Sequence, residues 1–496
     1  MSAPPSPGGG VAVSAQGWQW RHAGRAQWAL RGLDLAIEPG ERVLLLGASG
    51  SGKSTLLQGL AGLLDSNEDG DETGRLLVDG APPARRRSRI GMVLQNPDSQ
   101  VILSRVGDDV AFGMENFNVE RAAIWPRVRR ALAAVGLDLP LSRETSALSG
   151  GQQQRLALAG VIAMNPGLIL LDEPTANLDP AGVVEVRDAV AAAAASTGAT
   201  LVVVEHRTAV WLPVVDRVIV LGDDGRVVAD GPPEDTLGRQ RDMLQRAGVW
   251  VPGAELPAIT RRHAPGARLL EAANLSVGYR ADDGSHDLTF DVDRGAVTVV
   301  TGPNGTGKSA LALTLGGLLP PRGGTLTADE TFAPAPRRRS PVEWKSRELL
   351  TRIGSVFQNP EHQFLTATVR DELALGPRAL KKDDAAVADT CDALLDRLRL
   401  AHVADVNPYT LSGGEQRRLS VATVLATAPG LIILDEPTFG QDRNTWAELV
   451  RMLAEIADDG AAVVAITHDL DFAGLLADQR VDLGAWHAET AADTPW

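Results

Sequence analysis

The sequence is poor in several features, and each scarcity excludes a class of protein. Only one of the 496 residues, Cys391, is a cysteine, so an intramolecular disulfide is excluded and a reducing compartment is favoured. We expect its thiol to be an inert part of the core. No window of about 18 apolar residues lacks charge, so no membrane-spanning segment is predicted. Residues 1–10 have neither the basic nor the apolar part of a signal peptide and predict a flexible tail.

Positive charge is also scarce. Lys and Arg number 48 against 63 Asp and Glu, which gives a formal net charge of −15. This balance argues against nucleic acid or bare anionic lipid as a partner, because binding to phosphate groups draws mainly on positive charge. The length and the hydrophobic fraction of 44% are suited to two globular α/β domains.

The most informative feature that is present is an internal repeat. The sequence GASGSGKST at 47–55 returns as GPNGTGKSA at 302–310. Five polar residues each recur 263 positions later: Gln95 as Gln358, Ser149 as Ser412, Asp172 as Asp435, Glu173 as Glu436, and Asp179 as Asp442. We therefore predict two copies of one nucleotide-binding domain, at 11–248 and 267–496, joined by a linker at 249–266 that is rich in Pro, Ala and Arg.

The order of apolar segments predicts an α/β fold, with a mostly parallel sheet core and a helical subdomain in each copy. Short apolar runs at 43–46, 168–171 and 202–204, and their counterparts at 297–301, 431–434 and 463–466, are typical of buried parallel strands. Helices are expected at 54–64 and 309–319, after the glycine loops. A helix-rich insertion is expected between Gln95 and Asp172, with helices at 121–135 and, in the second copy, at 385–398.

The repeated glycine loops have the pattern G-x-x-x-x-G-K-S. Such loops close backbone N–H groups around phosphate oxygens, the lysine reaches the β- and γ-phosphates, and the serine holds Mg²⁺. A glycine-rich turn that binds nothing is the alternative, but a strand before and a helix after in both copies favour phosphate. The predicted ATP-binding residues are Gly47, Ser49, Gly50, Gly52, Lys53, Ser54, Thr55, Gly302, Asn304, Gly305, Gly307, Lys308, Ser309 and Ala310.

An Asp-Glu pair follows an apolar strand in each copy. The strand ends at the sheet edge where ligands bind, so Asp172 and Asp435 are predicted to hold Mg²⁺ together with the loop serines. Glu173 and Glu436 are predicted to polarise the attacking water. The alternative, a solvated Asp-Glu loop, does not account for the preceding apolar runs.

A Ser-Gly-Gly sequence opens a helix in each copy, within LSGGQ at 148–152 and LSGGE at 411–415. A serine hydroxyl, bare backbone and a helix N-terminus make a second phosphate site, which is useful if it caps the nucleotide held by the other copy. A flexible serine-glycine turn is the alternative. The residues predicted to cap ATP are Ser149, Gly150, Gly151, Gln152, Ser412, Gly413, Gly414 and Glu415.

These motifs together resemble a tandem ATP-binding cassette protein of the ABC superfamily, over nearly the full length of both copies. The resemblance implies a head-to-tail pair of cassettes, with one ATP held by Lys53 and capped by Ser412 and the other held by Lys308 and capped by Ser149. It also assigns roles to further residues: Mg²⁺ and partner sensing to Gln95 and Gln358, γ-phosphate contact to His206 and His468, dimer-interface loops to Asp179 and Asp442, and stacking on adenine to Tyr279 and Trp20.

The two copies depart from each other near these histidines. Glu205 precedes His206 where Thr467 precedes His468, and the loop sequence ANLD stands where the second copy has FGQD. No catalytic residue is missing from either copy. We expect two hydrolytic sites that are not equivalent.

The segments Q-N-P-D-S-Q at 95–100 and Q-N-P-E-H-Q at 358–363 resemble the ATPase subunits of energy-coupling-factor (ECF) importers, which take up vitamins or transition-metal ions. The resemblance implies a transmembrane T component, a substrate-binding membrane subunit, and a place at the cytoplasmic face of the membrane. It makes Asn96, Pro97, Asp98, Gln100, Asn359, Pro360, Glu361 and Gln363 partner-facing. The alternative is that Asn-Pro merely makes a turn.

Other functions remain open from the sequence. They are the fused ATPase of a sugar importer, a soluble tandem cassette acting on ribosomes or DNA, and a regulatory protein that binds ATP without turnover. Two arginine clusters, at 85–87 and 337–339, are most simply solvated, with contact to lipid headgroups or a partner as the alternative.

Overall fold

The chain divides into two compact units. The computed structural model describes residues 9–25, 27–48, 50–66, 68–94, 100–175, 178–279, 285–438 and 440–484. The first unit comprises residues 1–255 with 442–444, and the second comprises 256–441 with 445–496. The division between Glu255 and Leu256 falls inside the segment for which the sequence predicts a linker.

The first unit contains a six-stranded sheet and a three-stranded antiparallel sheet. The six strands have the order β5-β6-β7-β3-β8-β9, and all neighbours are parallel except β8 and β9. The smaller sheet has the order β2-β1-β4. The strands are β1 (Val13–His22), β2 (Leu30–Ile37), β3 (Arg42–Gly47), β4 (Gly70–Val78), β5 (Ile90–Val93), β6 (Leu168–Asp172), β7 (Thr200–Val204), β8 (Arg217–Leu221) and β9 (Val227–Gly231).

The second unit repeats this plan. Its main sheet is wholly parallel, with the order β14-β15-β16-β12-β17, and its antiparallel sheet has the order β11-β10-β13. The strands are β10 (Arg268–Val277), β11 (Ser285–Asp293), β12 (Val297–Thr301), β13 (Gly323–Ala328), β14 (Ile353–Val356), β15 (Leu431–Asp435), β16 (Ala462–Ile466) and β17 (Gln479–Asp482).

Helices alternate with the parallel strands, and the predicted helical insertion is present in both units. The first unit has α1 (Lys53–Leu60), α2 (Val106–Asn116), α3 (Arg121–Ala134), α4 (Gly150–Met164), α5 (Pro180–Thr197), α6 (Thr208–Trp211), α7 (Pro233–Arg239) and α8 (Arg241–Arg246). The second has α9 (Lys308–Leu315), α10 (Ser346–Leu350), α11 (Val369–Ala379), α12 (Asp384–Arg397), α13 (Gly413–Leu425), α14 (Arg443–Asp458) and α15 (Leu470–Leu476). The α/β prediction with a helical subdomain in each copy is confirmed.

The helices after the glycine loops are shorter than the sequence predicts. Helix α1 ends at Leu60 and α9 at Leu315, each four residues early. Gly62 and Gly317 then adopt φ angles of 68° and 69°, in the left-handed region that ends helices. The apolar pattern continues past this point because Leu64 and Leu319 still pack on the core, whereas Leu63 and Leu318 are exposed. Hydrophobic period alone therefore overestimates the helix.

The central strands are buried on both faces. Every residue of β6, β7, β15 and β16 is buried. Such strands carry continuous apolar runs because helices or the antiparallel sheet cover each face. Among the helices of the described residues, none is long and apolar enough to cross a membrane.

Part of the predicted linker is anchored to the second unit by charge. The Arg261 side chain lies 3.0 Å from Asp458 and 2.9 Å from Asp478. Backbone N–H of Arg262 donates to Asp458 Oδ2 at 3.0 Å. Burial would raise the pKa of Asp458, but the hydrogen bonds from Arg261 and Arg262 lower it to about 2. This stretch of linker is therefore fixed to the end of α14.

Candidate active sites

Each glycine loop follows a buried strand and ends at the first residue of a helix. Gly52 and Gly307, just before α1 and α9, have φ angles of 93° and 91°. Glycine adopts this left-handed conformation without strain. A Cβ on Gly52 would lie 2.6 Å from the carbonyl oxygen of Ala29. At Gly52 there is therefore no room for a side chain, and the N–H groups of the helix start directly after the loop, an arrangement suited to phosphate.

The two loop lysines are buried and bend back over their own loops. Nζ of Lys53 donates to the carbonyl oxygen of Gly47 at 2.8 Å, and Nζ of Lys308 donates to that of Gly302 at 2.8 Å. Burial lowers the pKa of Lys53. Each lysine is thus positioned at its loop, where it can contact phosphate oxygens.

The structure brings each loop serine to the aspartate that ends the neighbouring strand. Oγ of Ser309 donates to Oδ2 of Asp435 at 2.8 Å, and Ser54 makes a side-chain hydrogen bond with Asp172. Burial raises the pKa of Asp172 to about 6, and the hydrogen bond from Ser54 opposes this shift. Hydroxyl and carboxylate oxygens are the ligands that Mg²⁺ prefers.

The glutamates that follow these aspartates have strained backbones. Glu173 and Glu436 have φ angles of 49° and 50°. A non-glycine residue held there costs about 1–3 kcal/mol, and such residues cluster at active sites. Their N–H groups donate to the carbonyls of Val204 (2.9 Å) and Ile466 (2.8 Å), which holds them in place. Burial, with neighbouring Asp435, raises the pKa of Glu436 to about 7, a value suited to proton exchange with water.

The histidines after β7 and β16 approach these glutamates at different distances. Nε2 of His206 lies 3.2 Å from Oε1 of Glu173. Nε2 of His468 lies 3.8 Å from Oε1 of Glu436 and 3.4 Å from Oδ1 of Asn304. The glutamate–histidine pair is therefore closer in the first unit than in the second.

The residue before each histidine also differs between the sites. Oγ1 of Thr467 donates to Oε2 of Glu436 at 3.1 Å. Glu205 is buried and instead accepts hydrogen bonds from the Thr175 hydroxyl and from the His206 N–H (3.2 Å). Burial raises the pKa of Glu205 to about 7. The two sites therefore present different surroundings to the glutamate, as the sequence difference suggests.

The Ser-Gly-Gly serines are the N-caps of α4 and α13, and both are exposed. Ser149 and Gln152 form a capping box, with hydrogen bonds of 3.4 and 3.1 Å. Ser412 and Glu415 form another, at 3.4 and 2.9 Å. The side chains of Gln152 and Glu415 thus hold the helix start in shape, a role that the sequence analysis did not assign to them.

The two aspartates assigned to interface loops each accept a hydrogen bond at the start of a helix. Oδ1 of Asp179 accepts the N–H of Gly182 at 2.8 Å at the N-terminus of α5. Oδ1 of Asp442 accepts the N–H of Asn444 at 3.0 Å in the first turn of α14. Their assignment to a cassette interface stays a prediction.

The assembled groups fit ATP and Mg²⁺. In each unit the glycine loop, the buried lysine, the serine–aspartate pair and the glutamate–histidine pair meet at the carboxyl ends of neighbouring parallel strands. A Cβ built on Gly50 or Gly305, within the loops, would meet no atom within 4 Å. The space over each loop can therefore receive phosphate groups.

Comparison with known proteins decides the family. The profile of the family described as "ABC transporter" matches residues 30–176 and 285–439, so it covers both units. The chain belongs to the ABC transporter family. It is an ATP-binding protein with two cassettes, and its ATP hydrolysis serves transport. An ATPase of this family implies transmembrane partner subunits.

Two curated relatives cover nearly the whole chain. One, from Bacillus subtilis (strain 168), is named "Putative HMP/thiamine import ATP-binding protein YkoD"; it is 35% identical over 477 residues, covering 90% of this chain and 85% of its own. Another, from Streptomyces avermitilis, is named "Putative ABC transporter ATP-binding protein"; it is 33% identical over 529 residues, covering 95% and 92%. Both align with the two cassettes together.

A solved structure shares the fold. The archaeal ribosome recycling factor aABCE1, solved in complex with the ribosomal stalk protein aP1, covers 94% of this chain and 87% of its own with a TM-score of 0.59. Its sequence identity is 20%, so this likeness concerns the fold alone.

The prediction that Trp20 of the first cassette stacks on adenine is wrong. Its side chain is 1% exposed within the core, whereas Tyr279 is 64% exposed. The pairing of β1 and β10 with the strands that follow them makes Trp20 the counterpart of Val277. Trp20 pairs with Leu30, the first residue of β2, and Val277 pairs with Ser285, the first residue of β11. His22 is then the counterpart of Tyr279.

Both strands carry a bulge, with Asn274 at a φ of 48° in β10. Gly17 has a φ of 55° and shifts the alternation of β1, so that Trp18 and Trp20 both face the core. Nε2 of His22 lies 3.0 Å from Oγ1 of Thr55, and burial lowers the pKa of His22. The distance to the loop lysine already favours His22 as the counterpart of Tyr279. Tyr279 lies 29 residues before Lys308, whereas His22 lies 31 residues and Trp20 33 residues before Lys53.

The outer glutamines of the predicted partner segments bond to their own cassettes. Oε1 of Gln363 accepts the N–H of Phe357 (3.2 Å) and its Nε2 donates to the carbonyl of Ser355 (3.1 Å). Gln100 makes the same pair of bonds, at 2.8 and 3.1 Å, with the end of β5. Each glutamine closes its loop onto the preceding strand, which explains why it recurs at the same position in both copies. The repeat does not by itself indicate a partner.

The inner part of the second segment is a capped turn. Oδ1 of Asn359 accepts the N–H of Glu361 at 3.3 Å, and Pro360 begins a short 3₁₀ helix there. Gln358 is exposed. Ser49, Gln95, Asn96, Pro97 and Asp98 lie outside the described residues.

The arginine clusters mainly bind their own loops. Arg86 and Arg87 donate to the carbonyls of Asp79 and Gly62. Arg338 pairs with Glu348, and Arg339 donates to the carbonyl of Ala328 at 2.6 Å. These four guanidinium groups stabilise turns ahead of β5 and β14.

Proposed function

We propose that this protein is the ATP-hydrolysing subunit of an energy-coupling-factor-type importer for a vitamin or a transition-metal ion. The observation that carries the proposal is the 35% identity, across both cassettes, to a protein named for HMP/thiamine import. Thiamine is a vitamin. The repeated Q-N-P-[DE]-x-Q segments, which resemble those of ECF ATPases, support the same class of importer.

In each cassette the proposed roles follow from position. Lys53 and Lys308 bind the β- and γ-phosphates at the glycine loops. The serine–aspartate pairs, with Gln95 and Gln358, hold Mg²⁺, which neutralises phosphate charge when it is bound. Glu173 and Glu436 orient the attacking water and accept its proton, and His206 and His468 contact the γ-phosphate.

The proposal keeps the two-domain organisation, with cassettes at 11–248 and 267–496. ATP drives closure of the cassettes, the serine of each Ser-Gly-Gly helix completes the nucleotide site of the other, and hydrolysis reopens them. The T component and the substrate-binding subunit hold the protein at the cytoplasmic face of the membrane. Residues 358–363, named here the second partner loop, contact the T component.

The test is to purify the full chain from native membranes in detergent. We expect small hydrophobic membrane proteins to co-purify, and mass spectrometry to detect a retained vitamin or metal ion. Double Glu173→Gln and Glu436→Gln protein serves as the matched control, since it should keep the companions while losing ATPase activity. Recovery with a sugar-binding protein would favour a sugar importer, and recovery with ribosomes alone would overturn the transport proposal.

A further inference from the structure

Arg417 occupies an unusual position on the Ser-Gly-Gly helix of the second cassette. It lies one turn into α13 and is 4% exposed. Its Nη2 donates to the carbonyl of Gln358 at 2.6 Å, and its Nη1 donates to the carbonyls of Phe357 at 2.8 Å and Asp435 at 3.4 Å. One guanidinium group thus joins α13 to the start of the second partner loop and to the end of β15.

The cation is retained despite its burial. A guanidinium group stays protonated in proteins, so Arg417 keeps its charge at neutral pH. Hydrogen bonds from a charged donor are about twice as strong as neutral ones, so three carbonyl acceptors make a firm tie.

Neighbouring side chains reinforce the connection to the loop. Nε2 of Gln416 lies 3.4 Å from Oε1 of Glu361. The hydroxyl of Tyr409, three residues before Ser412, donates to the carbonyl of Phe364 at 2.9 Å, just after the loop. The segment that leads into α13 and the second partner loop are thus bonded at both ends of the loop.

The residue at the equivalent position of the first cassette is a glutamine. Gln154 stands five residues after Ser149, as Arg417 stands five after Ser412. It is 1% exposed, and within the described part of the chain neither its Nε2 nor its Oε1 has a hydrogen-bond partner. A buried amide without partners costs free energy, so Gln154 does not stabilise this place.

We infer that Arg417 is a positioning residue that makes the second partner loop move together with the Ser-Gly-Gly helix of its cassette. The inference rests on the proposed function in so far as the loop contacts a membrane subunit. Under it, the motion that a nucleotide imposes on α13 reaches the partner through the bonds of Arg417.

The first test is hydrogen exchange of the full chain without partners. Arg417→Leu is expected to speed backbone exchange in residues 357–364 by about tenfold or more, because the loop loses the bonds that anchor it. Gln154→Leu is the matched control, and it should not speed exchange around α4 or lower the melting temperature. Unchanged exchange at 357–364 in folded Arg417→Leu protein would overturn the inference.

A conservative variant protects the test against simple misfolding. Arg417→Lys keeps the charge but not the forked geometry, so exchange in the loop should be intermediate between wild type and Arg417→Leu. In the Glu173→Gln, Glu436→Gln background, ATP should slow exchange at 412–416 and at 357–364 together. Arg417→Lys should reduce the response of the loop at least threefold while 412–416 still responds. If ATP slows exchange at 357–364 to the same extent with and without the Arg417→Lys change, the inference is contradicted.

The second test separates this inference from the proposed function. In protein purified with its membrane companions and carrying Glu173→Gln, Arg417→Lys should lower the ratio of companion-stimulated to unstimulated ATPase activity severalfold. If no companions are found, the proposed function fails, and the exchange data alone still decide the role of Arg417. If companions stimulate both proteins equally and the exchange is also unchanged, the inference fails while the function stands.

Discussion

Glu205 and Thr467 occupy the same place in the two cassettes but act differently on the neighbouring glutamate. The threonine hydroxyl donates to Glu436, whereas Glu205 brings a third buried carboxyl group to a site that already holds Asp172 and Glu173. Burial, and then the charge of Glu173, raise the pKa of Glu205 to about 7 and so favour its protonated form. The first site therefore has a buried titratable group where the second has a threonine.

Glu205→Gln should stabilise the protein at alkaline pH. The pKa of Glu205 is raised from 4.5 to about 7 in the folded state, so its contribution to stability is fully present below pH 4.5 and is lost as the pH rises through 7. Gln resembles the protonated form, so the variant should exceed wild type by about 1–3 kcal/mol at pH 8 and by much less at pH 5. Urea unfolding at both pH values measures this, with exposed Glu330→Gln as control. An equal difference at both pH values would contradict it.

Removing the carboxyl groups that we propose to be catalytic tests whether both sites turn over. Glu173→Gln and Glu436→Gln are each expected to lower the ATPase rate, and the double variant should lower it by about 10²–10⁴-fold, the usual contribution of a positioned acid–base group. ATP binding, followed by equilibrium dialysis, should persist in all three proteins. A single variant with the full wild-type rate would make that site structural only.

At the scale of elements, the register of one strand decides which aromatic ring can meet a nucleotide. Tyr279→Ala is expected to weaken ATP binding about three- to tenfold, because a stacked ring is lost, and to leave stability within about 0.5 kcal/mol. Trp20→Ala should instead cost about 3–5 kcal/mol of stability, because its ring fills the core. Calorimetric ATP titration and urea unfolding separate the two effects. If a fully folded Trp20→Ala protein bound ATP more weakly than wild type, Trp20 would have to contact the nucleotide.

The sequence predicts the elements that carry the chemistry because their spacing is dictated by phosphate geometry. Asp172 and Asp435 end apolar runs that are typical of buried strands, and Ser54 and Ser309 follow the loop pattern that both copies share, so their meeting is foreseeable. Trp20 fails because the resemblance does not fix the strand register, and by pairing Trp20 corresponds to the buried Val277 and not to Tyr279.

Long-range hydrogen bonds are the part that sequence cannot supply. Gln363 follows Gln358 at the same spacing as Gln100 follows Gln95, which is compatible with a partner contact or with closure of the loop. Only the structure shows that the N–H of Phe357 donates to the Gln363 side chain and closes the loop. Arg417 is one of two adjacent arginines near the start of α13. Its role depends on carbonyls about 60 residues earlier in the chain.

At the scale of the whole chain, the linker is partly fixed. Asp458 accepts hydrogen bonds from the Arg261 side chain and from the backbone N–H of Arg262. Part of the segment that the sequence predicts to be a linker therefore belongs to the second unit. Val249 and Val251 pack in the core of the first unit, so the connector is limited to the residues between Val251 and Arg261.

Asp458→Asn should release this anchor. Trypsin is expected to cut after Arg261 or Arg262 about tenfold faster or more than in wild type, because the bonds from the two arginines lose their charged acceptor. Mass spectrometry would show two fragments of nearly equal size. Asp459→Asn, at the adjacent exposed position, is the control and should be cut at the wild-type rate. Equal rates for Asp458→Asn and wild type would mean that other contacts hold the linker.

The left-handed backbone at Glu173 and Glu436 has an evolutionary consequence. Glycine would adopt those φ angles without strain, so folding alone would favour replacing both glutamates. Their presence at this position in both halves therefore indicates selection for the carboxyl group, against the conformational preference of the residue. If one half of such a duplicated gene were ever relieved of hydrolysis, this position is where we would expect drift to begin, towards glycine or asparagine.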